Sequence, residues 1–532
     1  MIYLEQNIDL YNNDIRVMLQ AFFDNEKVVL TKEGTRITLQ ALFTYDTDVE
    51  VPVMQRGGYV TFTLKDVNGY EASKTCVIDF MNKPLAKNPI KGSLYEMLSA
   101  YTGKELPWGS LTGVRPTKIA TECLEKGRSE DEIRKLYTGV YLTTEQKADI
   151  CIEVAKKEQE LFAGFDYENE YCIYVGIPFC PTRCLYCSFT SYPIALYEHG
   201  DIGTVDDQGA GKANQKKEKV RQQGYSVDDY IDALCHEIEA VAGSKVYSNK
   251  RPVAIYIGGG TPSALNAGQL RTVIEKLKSA FDMRYIREFC VECGRPDSIT
   301  EEKLSVLKEL GVERISINPQ TMSDETLKLI GRAHTVAQTK EAFKVARNAG
   351  FSNINMDMIV GLPGEDIEDV RHTLSEIEKL APDSLTVHSL AIKRAANLNI
   401  EMEKYHSLIK GSTNEMLMAV DECARRLNLE PYYLYRQKNI PGKLENIGYA
   451  KAGKECFYNV LIMEEKMDII AMGAGASSKF IFRNTADTSA KGKVAENVRI
   501  ERVENVKNVD QYIERIDEMI ERKERMFALI SE

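Results

Sequence analysis

The chain has 532 residues, 43% of them hydrophobic, and a formal net charge of −11. That length fits two to four domains of about 100–200 residues each. The acidic balance excludes a nucleic-acid binder held by basic excess, and no run of about 18 uncharged apolar residues marks a membrane span.

The opening stretch, "MIYLEQNIDLYNNDIR", places acidic residues where a signal peptide needs a basic start and an apolar core. A cytoplasmic chain is therefore expected. Its twelve cysteines are scattered along a long sequence, unlike those of a small disulfide scaffold.

Residues 1–165 read as an N-terminal α+β domain. "EKVVLTKEGTRITLQALFTY" and "YVTFTLKDV" are β-rich runs separated by turn residues. "GSLYEMLSAYTG", "TKIATECLEKG" and "TEQKADICIEVAKKEQELF" carry helical periodicity. No chemical motif marks this block. "PWGSLTGVRPTK", with Arg115, is either a structured loop or a substrate contact.

Residues 166–400 alternate short apolar runs with helical segments. The runs are "YCIYVGIPF", "VAIYIGGG", "IREFCVECG", "ERISINPQ", "NINMDMIVG" and "SLTVHSLAI". Such alternation predicts an α/β fold with a parallel sheet and helical crossovers. Six strands fit a partial (β/α)6 barrel, an open version of the eight-stranded form. The polar, Gly-rich stretch at about 197–224 reads as a mobile surface insertion. Residues 401–532 are expected to form a mostly helical closing region that covers a substrate. They include a strand-like "YYLYRQ", a turn at "MGAGASS" and a long charged final helix, read as a solvated cap.

One motif stands out. "GIPFCPTRCLYCSF" places Cys180, Cys184 and Cys187 within eight positions after a strand. Structural zinc usually draws four ligands from two short clusters. Here one compact cluster supplies three, with no adjacent second pair. A four-iron cube held by three thiolates would keep one iron open, and open positions belong to catalysis. Zinc remains the alternative.

Other residues gather at the ends of successive strands, where barrel active sites lie. "YIGGGTPS" supplies Gly258, Gly259, Gly260 and Thr261; the glycines admit close backbone approach to a ligand, or simply form a tight turn. Glu292 sits in the apolar "FCVECG", where an unpaired buried carboxylate is costly. It meets a ligand ammonium, an internal arginine or water. Asp357, among Met356, Met358, Ile359 and Val360, is placed to accept hydrogen bonds from a diol. Gln320 and Arg332 add an amide and a permanent cation suited to a carboxylate. His334 fits a structural role as well as a catalytic one.

The cysteine spacing resembles the motif of the radical S-adenosylmethionine (SAM) enzymes, in which SAM itself chelates the open iron. The wider series "YVGIPFCPTRCLYCSF", "GGGTPS", "SINPQTM", "GRAHT", "NMDMIVGLPGE", "GYAKAGKECFYN" and "GAGASS" resembles the oxygen-independent coproporphyrinogen III dehydrogenases, in their longer HemZ-like branch. That resemblance spans Tyr174 to about Phe480.

The resemblance implies a [4Fe-4S] cluster on Cys180, Cys184 and Cys187. It implies SAM surrounded by Tyr174, Tyr186, Gly259, Gly260, Thr261, Glu292, Gln320, Arg332, Asp357 and Ala391. It implies oxidative decarboxylation of two coproporphyrinogen III propionates to vinyls. A porphyrinogen or haem-type substrate and a reduced flavodoxin or ferredoxin-type donor follow as partners. Arg115, Arg295, Lys393 and Arg394 are candidates for meeting an acidic substrate, or are solvated surface charges. Two positions depart from the pattern. Phe189 stands where the dehydrogenases carry a fourth cysteine, as in relatives that bind and deliver haem, and Lys479 differs in type from its counterpart. Haem transfer and other radical porphyrin chemistry are the alternatives.

Overall fold

The computed structural model describes residues 1–531 except 24–25, 31–32, 34, 46–56, 81, 114, 199–223, 392–407, 409–410, 412, 438–443 and 485–496. The insertion expected at about 197–224 lies outside the described residues except at its two ends.

The first unit is built on five strands: β1 (Ile2–Gln6), β2 (Val28–Val29), β3 (Ile37–Tyr45), β4 (Gly57–Asp66) and β5 (Glu71–Asp79). Their order is β2-β1-β3-β4-β5. In helix Asn12–Phe22, Ile15, Met18, Leu19 and Phe22 recur at helical spacing and are all buried. That stripe packs, with Ile90, Leu94 and Leu98 of helix Lys83–Thr102, on one sheet face in a core of its own.

The chain then makes helices Thr117–Glu125, Glu130–Gly139 and Glu145–Phe162. Although they belong in sequence to the first block, they bury Ala120, Tyr137, Cys151 and Val154 in the core of the second, larger sheet. "PWGSLTGVRPTK" joins them there as a structured loop. Trp108 is buried and donates from Nε1 to Glu445 Oε2 at 2.7 Å, and Lys147 pairs with the same carboxylate.

The larger sheet begins with β6 (Glu170–Ile177), after which the short β7 (Phe179–Cys180) pairs with β8 (Tyr192–Pro193). It continues with β9 (Arg251–Gly259), β10 (Glu288–Glu292), β11 (Arg314–Ser316), β12 (Ile354–Val360) and β13 (Ser384–Ser389). Each parallel strand after β6 is reached through a helical segment, as the alternation predicts. Strands β6 and β9 to β13 are the six apolar runs, adjacent and parallel.

The closing region corrects one expectation. It contains helices Asn414–Arg426, Phe457–Glu464, Val509–Glu514 and Ile516–Ser531, but is not mostly helical. It adds β14 (Glu430–Arg436), β15 (Glu445–Ala450), β16 (Asp468–Met472), β17 (Ser477–Asn484) and β18 (Asn497–Glu504). These extend the sheet at both sides, in the order β14-β15-β13-β12-β11-β10-β9-β6-β16-β17-β18. The sheet stays open and closes into no barrel. Strands β15 and β16 are short and buried at every position, so they carry no alternation that separates strand from helix. Among the described residues no helix is long and apolar enough to cross a membrane.

Nor is the final helix merely a solvated cap. Its Met519 and Phe527 are buried, and Lys523 donates to Glu237 and to Asn505 Oδ1 at 2.6 Å. Glu237 also accepts from Tyr512 at 2.6 Å and from the Gly473 N–H at 2.8 Å. Tyr230 completes the network, donating to Gly176 O at 2.6 Å and accepting from the Ala474 N–H at 3.1 Å. Removing one partner of a buried ion pair costs about 3–5 kcal/mol, because the other charge is stranded. Lys523→Met is therefore expected to lower unfolding stability by that order in urea titrations, and Glu237→Gln in the same chain to restore part of it.

Candidate functional site

The three thiols lie on the loop that leaves β6 at the carboxyl edge of the parallel strands. This loop is held largely by backbone contacts. The N–H groups of Gly260 and Thr261 donate to Ile177 O and Phe179 O, each at 2.7 Å. A Cβ on Gly260 would lie 2.5 Å from Phe179 O, and Gly259 has φ +109°. The close approach permitted by these glycines is thus to the thiol loop itself.

Two buried guanidiniums complete the support. Arg295 chelates Asp297, with Nη2 at 2.8 Å from Oδ2, and donates to Thr182 O at 2.8 Å and Thr182 Oγ1 at 3.0 Å. Its Nη1 lies 3.9 Å from Cys184 Sγ. Arg332 donates to Tyr186 OH at 3.0 Å, Gly294 O at 2.7 Å and Asn318 O at 2.8 Å. It ties the thiol loop to the ends of β10 and β11. His334 accepts from Arg332 Nε at 3.4 Å; burial and that neighbouring charge push it down to about 3, so its ring is neutral.

All the residues expected to hold cluster and SAM line one cavity of ≈ 270 Å³, except Tyr174. The cavity wall thus includes Cys180, Cys184, Cys187, Tyr186, Gly259, Gly260, Thr261, Glu292, Gln320, Arg332, Asp357 and Ala391. Tyr174 lies deeper on β6. Its half-buried ring stacks at 6.3 Å on Tyr256 and 6.0 Å on Tyr458, and it is not among the residues that line the cavity. Arg295 is buried beneath the thiol loop and is no mouth residue. Arg115 donates to Met463 O at 2.8 Å and Lys479 to Ile462 O at 3.2 Å, both away from this cavity. Lys393 and Arg394 lie outside the described residues.

The sequence reading passed over Asn318, His388 and Asn446, which also line the cavity. Asn318 stands two positions before Gln320, in the same quoted stretch, and was the most accessible of these to find.

The donor set fits a large cationic cluster. Burial pushes the Cys180 thiol up to about 11 and raises that of Cys187, so a bound cation would favour their ionised form.

Two acceptors beside the thiols are also incomplete. Gln320 Oε1 and Asn318 Oδ1 are buried and have no hydrogen-bond partner among the described residues. Gln320 is held at φ +65°, a costly conformation for this residue, by its N–H to Asp357 O and by the Ile359 N–H to its own carbonyl, each at 2.9 Å. Buried polar atoms rarely lack partners in native proteins. A ligand carrying N–H and O–H donors would satisfy both.

Asp357 accepts from Asn318 Nδ2 at 2.8 Å and Asn355 Nδ2 at 2.6 Å, and His388 Nε2 lies 3.9 Å away. Glu292, held by Tyr256 OH and the Gly259 N–H, is pushed up to about 7 by burial, against the Tyr256 bond and with the charge of Asp357. Its folded value lies above its unfolded one. Its stabilising contribution is therefore complete below the ordinary carboxylate range and is lost as pH rises through about 7. In cofactor-free protein, the Tm difference between wild type and Glu292→Gln is expected to shift against wild type between about pH 5 and 8. In parallel, Gly260→Ala is expected to reduce the iron retained after anaerobic reconstitution.

The family model for the radical SAM superfamily matches residues 174–377. The oxygen-independent coproporphyrinogen-III oxidase-like protein HemZ of Bacillus subtilis is 38% identical over 437 residues, covering 81% of this chain and 82% of its own. The heme chaperone HemW of the same species is 30% identical over 308 residues, covering 57% and 69%. The solved coproporphyrinogen III oxidase HemN of Escherichia coli, a radical SAM enzyme, is 20% identical at TM-score 0.45, covering 68% of this chain and 72% of its own. With a three-thiol loop at the carboxyl edge of six parallel strands, this chain belongs to the radical SAM superfamily, in the family of the oxygen-independent coproporphyrinogen-III oxidase-like proteins.

Proposed function

We propose that this chain holds a [4Fe-4S] cluster on Cys180, Cys184 and Cys187, holds SAM beside it, and converts two propionates of coproporphyrinogen III to vinyls. One observation carries the cofactor reading: two buried thiols and a half-buried third share a cavity with two amide oxygens, on Asn318 and Gln320, that have no partner among the described residues, and with two carboxylates, on Glu292 and Asp357. The choice of substrate rests on the family.

When bound, cluster and SAM together supply a reducing electron and an agent able to take hydrogen from an unactivated C–H bond. The chain's own residues bind and orient. Glu292 is placed for an ammonium, Asp357 for a ribose diol, and Gln320 and Asn318 for remaining donors. Arg295 and Arg332 set two fixed cations beside the thiolates and offset their charge. Tyr186, Gly259, Gly260, Thr261 and Ala391 shape the remaining wall. Each propionate reaches a vinyl by losing one hydrogen atom, carbon dioxide and one electron. Reducing equivalents would come from a donor of the flavodoxin or ferredoxin type.

A second reading, haem transfer on the same scaffold, is favoured by one residue. Phe189 is 66% exposed and lines the cavity, where its ring offers a face to a planar tetrapyrrole.

Anaerobic reconstitution should yield about four iron and four sulfide per chain. With a strong reductant, the protein should then release 5′-deoxyadenosine from SAM, and the triple Cys→Ala variant should fall to background. Vinyl product from coproporphyrinogen III supports dehydrogenation. Tight haem binding without turnover, weakened by Phe189→Ala, supports transfer. Stoichiometric zinc in place of iron would sink both.

A further inference from the structure

A second cavity, of ≈ 230 Å³, lies within the parallel sheet. It shares Phe189, Glu292, Asp357, His388 and Tyr435 with the cofactor cavity, so one wall serves both. Its sides include the rings of Tyr256, Tyr433 and Tyr435. Tyr433 and Tyr435 stand parallel, 6.3 Å apart, and Tyr256 is stacked at 4.5 Å on Tyr458. These are stiff ring faces.

Arg314, the first residue of β11, is 3% exposed and lines this chamber. Only its Nη1 is engaged, by Asn353 Oδ1 at 2.7 Å and Lys454 O at 2.8 Å. Its Nε and Nη2 make no hydrogen bond, and it forms no ion pair, among the described residues. The nearby carboxylate of Glu288 attracts Arg314 but makes no hydrogen bond or ion pair with it among the described residues, and its own hydrogen bonds go elsewhere. It accepts from the Phe457 N–H at 2.7 Å, the Tyr458 N–H at 3.2 Å and the Cys456 thiol at 3.3 Å. Ser316, two positions along β11, also lines the chamber, and its buried hydroxyl has no partner among the described residues.

A buried guanidinium with unused N–H groups is costly to leave alone. Its planar fork matches a carboxylate, and a serine hydroxyl adds one more donor. Ring-lined sides suit a short hydrocarbon stem. The geometry points to a carboxylate-binding chamber: it takes a short aliphatic carboxylate, whose oxygens accept from Arg314 and Ser316 while its methylenes lie among the tyrosines. The chamber's chemistry stands on these residues alone. That the carboxylate is a propionate arm of the substrate rests on the function proposed above.

Cofactor-free full-length protein would be titrated with propionate and with its neutral isostere propionamide, followed by ligand-observed NMR. Propionate is expected to bind at least about tenfold more tightly than propionamide. Arg314→Met should erase that preference, Arg314→Lys should restore only part of it, and Ser316→Ala should weaken propionate a few-fold. Thermal unfolding and reconstituted iron content check that each variant folds. Should Arg314→Met fail to fold, Ser316→Ala and the amide comparison decide the matter. Equal binding of propionate and propionamide, or propionate binding that no variant changes, overturns the chamber. Coproporphyrin III competing with propionate supports the arm assignment, and lack of competition overturns it. Absence of SAM cleavage would overturn the proposed function without altering the propionate titration.

Discussion

The backbone seam between the end of β9 and the thiol loop is the contact on which the site depends. In the proposed function the loop's cysteines are reserved for a ligand, so other groups must hold it in place. The N–H groups of Gly260 and Thr261 therefore grip Ile177 and Phe179. A seam this tight leaves no room for a Cβ at residue 260. Arg295 and Arg332 add a second grip from the far side, through Thr182 and Tyr186. Buried guanidiniums are usually a liability. Here their hydrogen bonds to Thr182, Tyr186, Gly294 and Asn318 fix the loop or join it to a neighbouring strand end, and their charge favours ionised sulfur.

The parallel sheet has an unusual face. Such strands are commonly apolar on both sides because helices cover them. Here alternate positions on one face are polar: Cys290 and Glu292, Arg314 and Ser316, Asn355 and Asp357, Thr386 and His388. Asn355 organises part of this face. It accepts from Ser384 at 3.0 Å and Thr386 at 3.2 Å while donating to Asp357. Polar groups so deep in a sheet are satisfied only by one another or by a guest.

Much of this was legible in the sequence. The six parallel strands announced themselves because each short apolar run is followed by a helical pattern. The cysteines and strand-end residues could be named because their types are rare in apolar surroundings. Tertiary distance hid the rest. Arg295 looks like any surface arginine until Thr182, 113 positions away, is brought against it. Tyr174 has the right type and strand, yet its depth on β6 gives it to a ring stack. Helices 117–162 look like part of the first block, but their apolar stripes are buried with the second. Strands β15 and β16, buried throughout, show no period to read.

The pairing of Glu237 with Lys523 also bears on timing. The two residues are 286 positions apart, and their network reaches Gly176, just before the thiol loop. A nascent chain is made from the amino end at about 5–20 residues per second. The wall behind the thiols therefore stays unbraced until the segment around Lys523 has been made and has docked on Glu237.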